Sequence, residues 1–119
     1  MPKFNNRKTT VDGHVFDSKL EASFYQAFKV AKDIKILELQ PTVVLAPPTK
    51  VGKKAVLAIK YISDFLIEYK GKKYLVDSKG VETAVFKIKM NLFKRLNYPY
   101  PLIVAKTLKE FVNDLKKPS

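Results

Sequence analysis

Ser63-Asp64-Phe65-Leu66-Ile67-Glu68-Tyr69-Lys70-Gly71-Lys72-Lys73-Tyr74-Leu75-Val76-Asp77-Ser78-Lys79-Gly80 reads as two strands joined by a tight turn. Lys70-Gly71 is the natural two-residue reversal, and it sets the register. In that register Phe65, Ile67, Tyr74 and Val76 share one face, and Leu66 and Leu75 share the other. Two apolar faces predict a central hairpin in a sheet covered on both sides. The same register puts Asp64 directly opposite Asp77. Opposed Cβ atoms lie roughly 5 Å apart, and like charges there are destabilising. Asp is also disfavoured inside strands. A hard divalent cation, which takes oxygen ligands, is the natural partner for such a pair. Alternation brings Lys79 to the face of Asp77, and Gly80 beyond it allows the backbone to bend or approach a ligand. The plainer reading pairs Asp64 with Lys60 or Lys73, and Asp77 with Lys73 or Lys79.

Outward from the hairpin, Ser18 and Glu21 form a Ser-x-x-Glu capping box, so a helix starts near Ser18. Leu20, Phe24, Ala27, Phe28 and Ala31 make its apolar stripe. Strands are predicted at 35–39, 42–46 and 55–62, with a loop at 47–54 between the latter two. A second helix is expected from Ala84 to Leu96, a strand at Leu102 to Ala105, and a last helix from Thr107, capped by Thr-Leu-Lys-Glu, to Leu115. Residues 1–13 read as a basic arm and 14–119 as a single domain. The order predicts an α/β fold: a central mixed β-sheet flanked by helices on both faces.

Lys and Arg number 23 against 11 Asp and Glu, a net charge of +12. In a small domain that balance points first to a polyanionic partner, nucleic acid above all. A basic structural protein is the plainer reading. Lys3, Arg7 and Lys8 in the arm, Lys19, and Lys87, Lys89, Lys94 and Arg95 on the second helix are the candidates for phosphate contact. The absence of cysteine excludes disulfides and thiolate metal sites and is compatible with a reducing cytosol. No apolar run is long enough for a membrane span.

Glu21 is a third candidate acid, although a capping role alone would explain it. Gln40 ends a strand; it can hold a water at the site or simply turn the chain into Pro41.

Glu21, then Asp64, then Asp77-x-Lys79 resembles the PD-(D/E)XK nuclease superfamily. The chain is most similar to small phage-encoded endonucleases of the Holliday-junction-resolvase-like type. The similarity is carried by Thr-Val-Asp-Gly-x-x-Phe-Asp-Ser-Lys-x-Glu (10–21), Glu-Leu-Gln-Pro (38–41), Tyr-Ile-x-Asp-Phe (61–65) and Asp-x-Lys-Gly with the Thr and Phe that follow (77–86). The N-terminal domain of transposon end-cleaving endonucleases has a similar Gln-Pro and Asp-Phe layout. Two departures stand out: Ser63 replaces the proline that names the superfamily, and the second acid is Asp77 rather than Glu. The resemblance implies a restriction-endonuclease-like core and a Mg²⁺-dependent DNA endonuclease, with Mn²⁺ as a substitute. Asp64, Asp77 and the Ser78 carbonyl would hold the ion, with Glu21 joining through water or holding a second one. Lys79 would act on the attacking water and the phosphate. It further implies a phage or prophage protein acting on branched DNA in the host cytoplasm, with a homodimer where cutting is symmetric. The alternatives in other classes are a non-catalytic nucleic-acid-binding module on the same fold and a virion or ribosomal assembly protein.

Overall fold

The computed structural model describes residues 8–117. In chain order they form β1 (Thr9–Val11), β2 (His14–Phe16), α1 (Lys19–Val30), β3 (Ile34–Leu39), β4 (Thr42–Ala46), β5 (Thr49–Val51), β6 (Lys54–Val56), β7 (Ile59–Ile62), β8 (Phe65–Tyr69), β9 (Lys72–Ser78), α2 (Ala84–Arg95), β10 (Leu102–Ala105) and α3 (Leu108–Lys116). The β8–β9 hairpin occupies the middle of a four-stranded sheet ordered β10-β9-β8-β3. Phe65 lies opposite Val76 and Leu66 opposite Leu75, as the two-residue turn requires. Lys70 and Gly71 both take positive φ, 51° and 77°, the combination a type I′ reversal needs. β3 runs antiparallel to β8. β10 runs parallel to β9, which it reaches through α2. The sheet is therefore mixed, and the fold is α/β.

Each face of the hairpin buries its own cluster. Phe65, Ile67 and Val76 pack with Phe24, Phe28, Phe111 and Leu115 of α1 and α3. The Phe28 ring stands 5.1 Å from both Phe65 and Phe111, edge-on to the first. On the opposite face Leu75 packs with Val43, Leu45, Tyr61 and Phe86, and Leu66 leans on the same group. A fully buried side chain of this size contributes about 1.5–3 kcal/mol, so burial on both faces fixes the hairpin firmly.

All three helices begin at their caps. Ser18, Thr83 and Thr107 accept hydrogen bonds from the N–H groups of Glu21, Phe86 and Glu110. Ala31 closes α1 as its C-cap, and Tyr25 joins the buried side of that helix.

Three expectations need correction. Thr9–Val11 is not part of a free arm but pairs with His14–Phe16. Asp12 and Gly13, at φ 53° and 78°, make the turn, Val11 packs on the core, and Tyr25 donates its hydroxyl to Asp12 at 3.1 Å. The boundary drawn at residue 13 thus falls inside a hairpin; Lys3 and Arg7 lie outside the described residues. The 47–54 loop contains β5, which pairs with β6 across Gly52-Lys53. The single strand expected at 55–62 is broken at Leu57-Ala58 into β6 and β7. β7 pairs with β4 rather than joining the central sheet.

Candidate functional site

The acids gather where α1 starts and where β8 begins beside the end of β9. Capping places Glu21 there: its N–H donates to Ser18 Oγ at 3.0 Å. The return bond of the capping box comes from the Asp17 N–H, at 3.3 Å to Glu21 Oε1, not from Ser18 as expected. Glu21 is buried, and among the described residues its Oε2 is the one buried side-chain oxygen or nitrogen without a hydrogen-bond partner. Burial raises its pKa, and the neighbouring charges of Asp17 and Asp77 push the same way; the Asp17 N–H and nearby Gln40 partly offset this.

Asp64 stands just before β8. Its N–H donates to Val76 O at 3.0 Å, and its carbonyl accepts from the Gln40 N–H at 2.9 Å. Its side chain does not simply face Asp77. Oδ2 accepts from both the N–H and the hydroxyl of Ser78, each at 2.7 Å. β8 starts at Phe65, so the Ser78 N–H on that edge of β9 has no strand opposite it, and the carboxylate fills the gap. Burial, and then the charges of Asp77 and Glu21, lift the Asp64 pKa to about 8.

Asp77 is 2% exposed. Its Oδ2 accepts a short hydrogen bond from the Tyr61 hydroxyl, while Oδ1 lies 3.9 Å from Lys79 Nζ. Burial, followed by the Asp77 charge, drives the Tyr61 pKa far up, so the phenol remains a donor. Lys79 donates its N–H to Ala105 O at 3.0 Å. Its ammonium sits 4.7 Å from the centre of the Phe86 ring, which steers it while leaving it partly open to solvent. Gln40 holds a left-handed backbone at φ 53°, an uncommon conformation for a residue with a side chain.

Glu21, Asp64, Ser78 and Lys79 line one open cleft of about 380 Å³, together with Asp17, Ser18 and Gly80. Asp77 is not among the lining residues and reaches the cleft's lysine from a buried position. The proposed phosphate contacts are more scattered. Lys8 is exposed beside β1, and Lys19 is exposed at the first position of α1. Lys87 and Lys94 line a separate groove of about 510 Å³ against β10. Lys89 is half-buried, and Arg95 donates Nε to Asn91 at 2.7 Å. In the sequence Tyr61 stands out only as the first residue of the Tyr-Ile-x-Asp-Phe motif, and Ser63 only as the replacement of a proline. Ser63 is wholly buried, and its hydroxyl donates to Val76 O at 2.7 Å.

Residues 1–110 match the model of a family described as a protein of unknown function, DUF1064. The chain belongs to the DUF1064 family. No curated protein matches it. In this DUF1064 protein the matched span contains every residue of the cleft. Among its described residues, no helix is long and apolar enough to cross a membrane.

Whether these residues suit a divalent cation can be tested on the side chains themselves. Among the described residues no three His, Cys, Asp or Glu side chains form a ready-made metal cage. Asp64 and Asp77 each spend one oxygen on a protein donor. The remaining chemistry suits a hard cation: all donors are oxygens, two acids, Glu21 and Asp64, have pKa values raised by burial first with neighbouring carboxylates adding to it, and Glu21 Oε2 is buried without a partner.

Proposed function

We propose that this DUF1064 protein is a metal-dependent endodeoxyribonuclease, hydrolysing phosphodiester bonds with Mg²⁺ or Mn²⁺. The observation that carries the reading is that Glu21 and Asp64 line one cleft with Lys79, whose ammonium lies 3.9 Å from the buried carboxylate of Asp77. Isolated carboxylates in such numbers oppose one another when buried, so their grouping is costly unless a cation joins them. The sequence resemblance to PD-(D/E)XK nucleases and the basic surface support the same reading.

Asp64, Asp77 and the Ser78 carbonyl would hold the ion, with Glu21 completing the set. When bound, such an ion lowers the pKa of water and offsets charge on the scissile phosphate. Ser78 fixes Asp64 through two hydrogen bonds. Tyr61 fixes Asp77. Lys79 is aimed by the Phe86 ring and by Asp77, where its charge stabilises a phosphate gaining negative charge. Exposed lysines hold the DNA backbone without reading sequence. On the resemblance, selectivity belongs to DNA structure, branched forms first. On the resemblance, the enzyme is phage or prophage encoded, works in the host cytoplasm, and cuts junctions as a homodimer.

The test is cleavage of linear, nicked, flapped and four-way DNA with Mg²⁺, Mn²⁺ or chelator. Cutting that needs the ion and vanishes in Asp77→Asn is expected; cutting that persists in chelator contradicts the reading. One observation favours a non-catalytic nucleic-acid-binding module instead: Asp64 and Asp77 have protein donors, and no ready-made metal cage stands among the described residues. That module would bind DNA equally well with and without the ion and would cut none of the panel.

A further inference from the structure

β4 to β7 form a ribbon whose two feet are part of the acidic site. Ser63 N–H donates to Pro41 O at 3.0 Å, and Gln40 N–H donates to Asp64 O at 2.9 Å. The ribbon therefore leaves the molecule beside Asp64. Its lower half, β4 with β7, packs Val43, Leu45 and Tyr61 against Phe86 of α2. Its upper half, β5 with β6, buries nothing: all six strand residues are exposed. Pro47-Pro48 on one side and Leu57-Ala58 on the other separate the halves.

A hairpin that adds nothing to the core must be explained by something outside it. From residue 39 to residue 63 the sequence carries Lys50, Lys53, Lys54 and Lys60 and no Asp or Glu. Lys53 sits in the turn itself, beside Gly52 at φ 62°. Lys54 pairs across the ribbon with Val51, and Lys50 with Ala55. None of the three tip lysines makes an ion pair among the described residues. Val51 is 70% exposed beside them. A narrow two-stranded ribbon with a cationic end and small apolar side chains has the dimensions and chemistry of an element that enters the major groove of B-form DNA. The side from Thr42 to Val51, at about 3.3 Å per residue, gives a reach of up to about 30 Å from the acids.

We infer that the β5–β6 tip is a DNA-binding arm, in which Lys50, Lys53 and Lys54 grip phosphates of duplex DNA flanking the acidic cleft. The inference rests on the proposed action of that cleft on DNA and names a second contact for the same substrate. A duplex held at the cleft and at the tip is fixed in direction as well as position. Duplex RNA, with its deep and narrow major groove, does not admit the ribbon.

The experiment reads binding alone, on uncut duplex DNA in chelator, by fluorescence anisotropy across a salt series. Lys50, Lys53 and Lys54 are changed together to Gln. A control changes Lys29, Lys109 and Lys116 to Gln, on α1 and α3 across the sheet. The tip variant should bind at least about fivefold more weakly and lose up to about 2.7 from the slope of log K against log salt, since each phosphate contact contributes about 0.9. The control should change both far less. Replacing residues 49–56 by Asn-Gly should reproduce the tip result and leave the melting temperature nearly unchanged. Equal losses in tip and control variants would make the effect one of net charge and overturn the inference. A tip variant with unaltered DNA binding but altered mass in sedimentation would assign the ribbon to self-association and overturn it too. So would a stronger effect on duplex RNA than on DNA. A wild type that needs the tip for binding yet never cuts would leave the arm standing and remove the nuclease reading alone.

Discussion

Asp64 holds its proton to higher pH than an exposed aspartate does. Its pKa rises from 3.8 to about 8, through burial first and the charges of Asp77 and Glu21 next. The sign of the resulting pH effect follows from linkage. Between those values the folded state holds a proton that the unfolded chain has released, so stability is fully present below the unfolded pKa and is lost as pH rises toward 8. Burial shifts Glu21 in the same direction. The metal-free protein should therefore melt at a lower temperature at pH 8 than at pH 5, and Asp64→Asn should flatten that slope; thermal unfolding across this range in chelator checks it. An unfolding temperature that climbs from pH 5 to pH 8 in wild type would contradict the burial argument. Lys79 gives a second expectation at this scale. Lys79→Ala should lose at least about 10²-fold in cleavage rate, by analogy with removal of one charge-stabilising donor, while binding DNA nearly as well as wild type. A variant that cuts at the wild-type rate would show Lys79 to be a surface residue that merely lies near Asp77.

The elements that hold these side chains differ in how plainly the sequence announces them. Phe65 to Val76 alternates cleanly around Lys70-Gly71, and both apolar faces found their own partners. The caps at Ser18, Thr83 and Thr107 are local hydrogen bonds within three residues, so the helix starts were legible for Ser18 and Thr107 from the capping box alone. Asp12-Gly13 carried a comparable turn signal, but the basic residues before it suggested a free arm and hid the pairing of β1 with β2. β5, and with it the β5–β6 hairpin, was illegible for another reason: with no buried face the pair shows no apolar alternation, and the prolines before β5 read as loop. Within the site, Asp64, Asp77 and Lys79 could be named as candidates from the hairpin register, and Glu21 only with the help of the family resemblance. Tyr61 could not, because its bond to Asp77 spans 16 residues and depends on how the β4–β7 ribbon folds back. The cap and the core make separable predictions. Ser18→Ala should destabilise by about 1 kcal/mol, and Phe65→Ala, at a wholly buried position, by about 3–5 kcal/mol. Denaturant titration checks both; a Phe65→Ala loss under 1 kcal/mol would mean that the helical face of the sheet is loosely packed.

For the whole molecule, the mixed sheet separates two jobs. One face and its helices, α1 and α3, supply the larger core, while the other carries α2 and the ribbon. The acids lie at the end of the sheet where both sides meet, with Glu21 coming from α1 and Asp77 held by Tyr61 from the ribbon. The chain as a whole carries a net charge of +12, a balance suited to a polyanionic partner. Removing residues 1–7, which include Lys3 and Arg7, leaves β1 complete; it should shallow the salt slope of duplex binding by up to about 1.8 without changing sequence preference. An unchanged slope would exclude those two residues from the interface. The central claim is that Glu21, Asp64 and Asp77 together hold a divalent cation, and calorimetric titration of Mn²⁺ into wild type and Asp77→Asn at equal pH tests it most directly. Saturable binding by wild type, weakened at least about tenfold in a folded Asp77→Asn, is the predicted result; equal binding by the two proteins, or none by wild type, would contradict it.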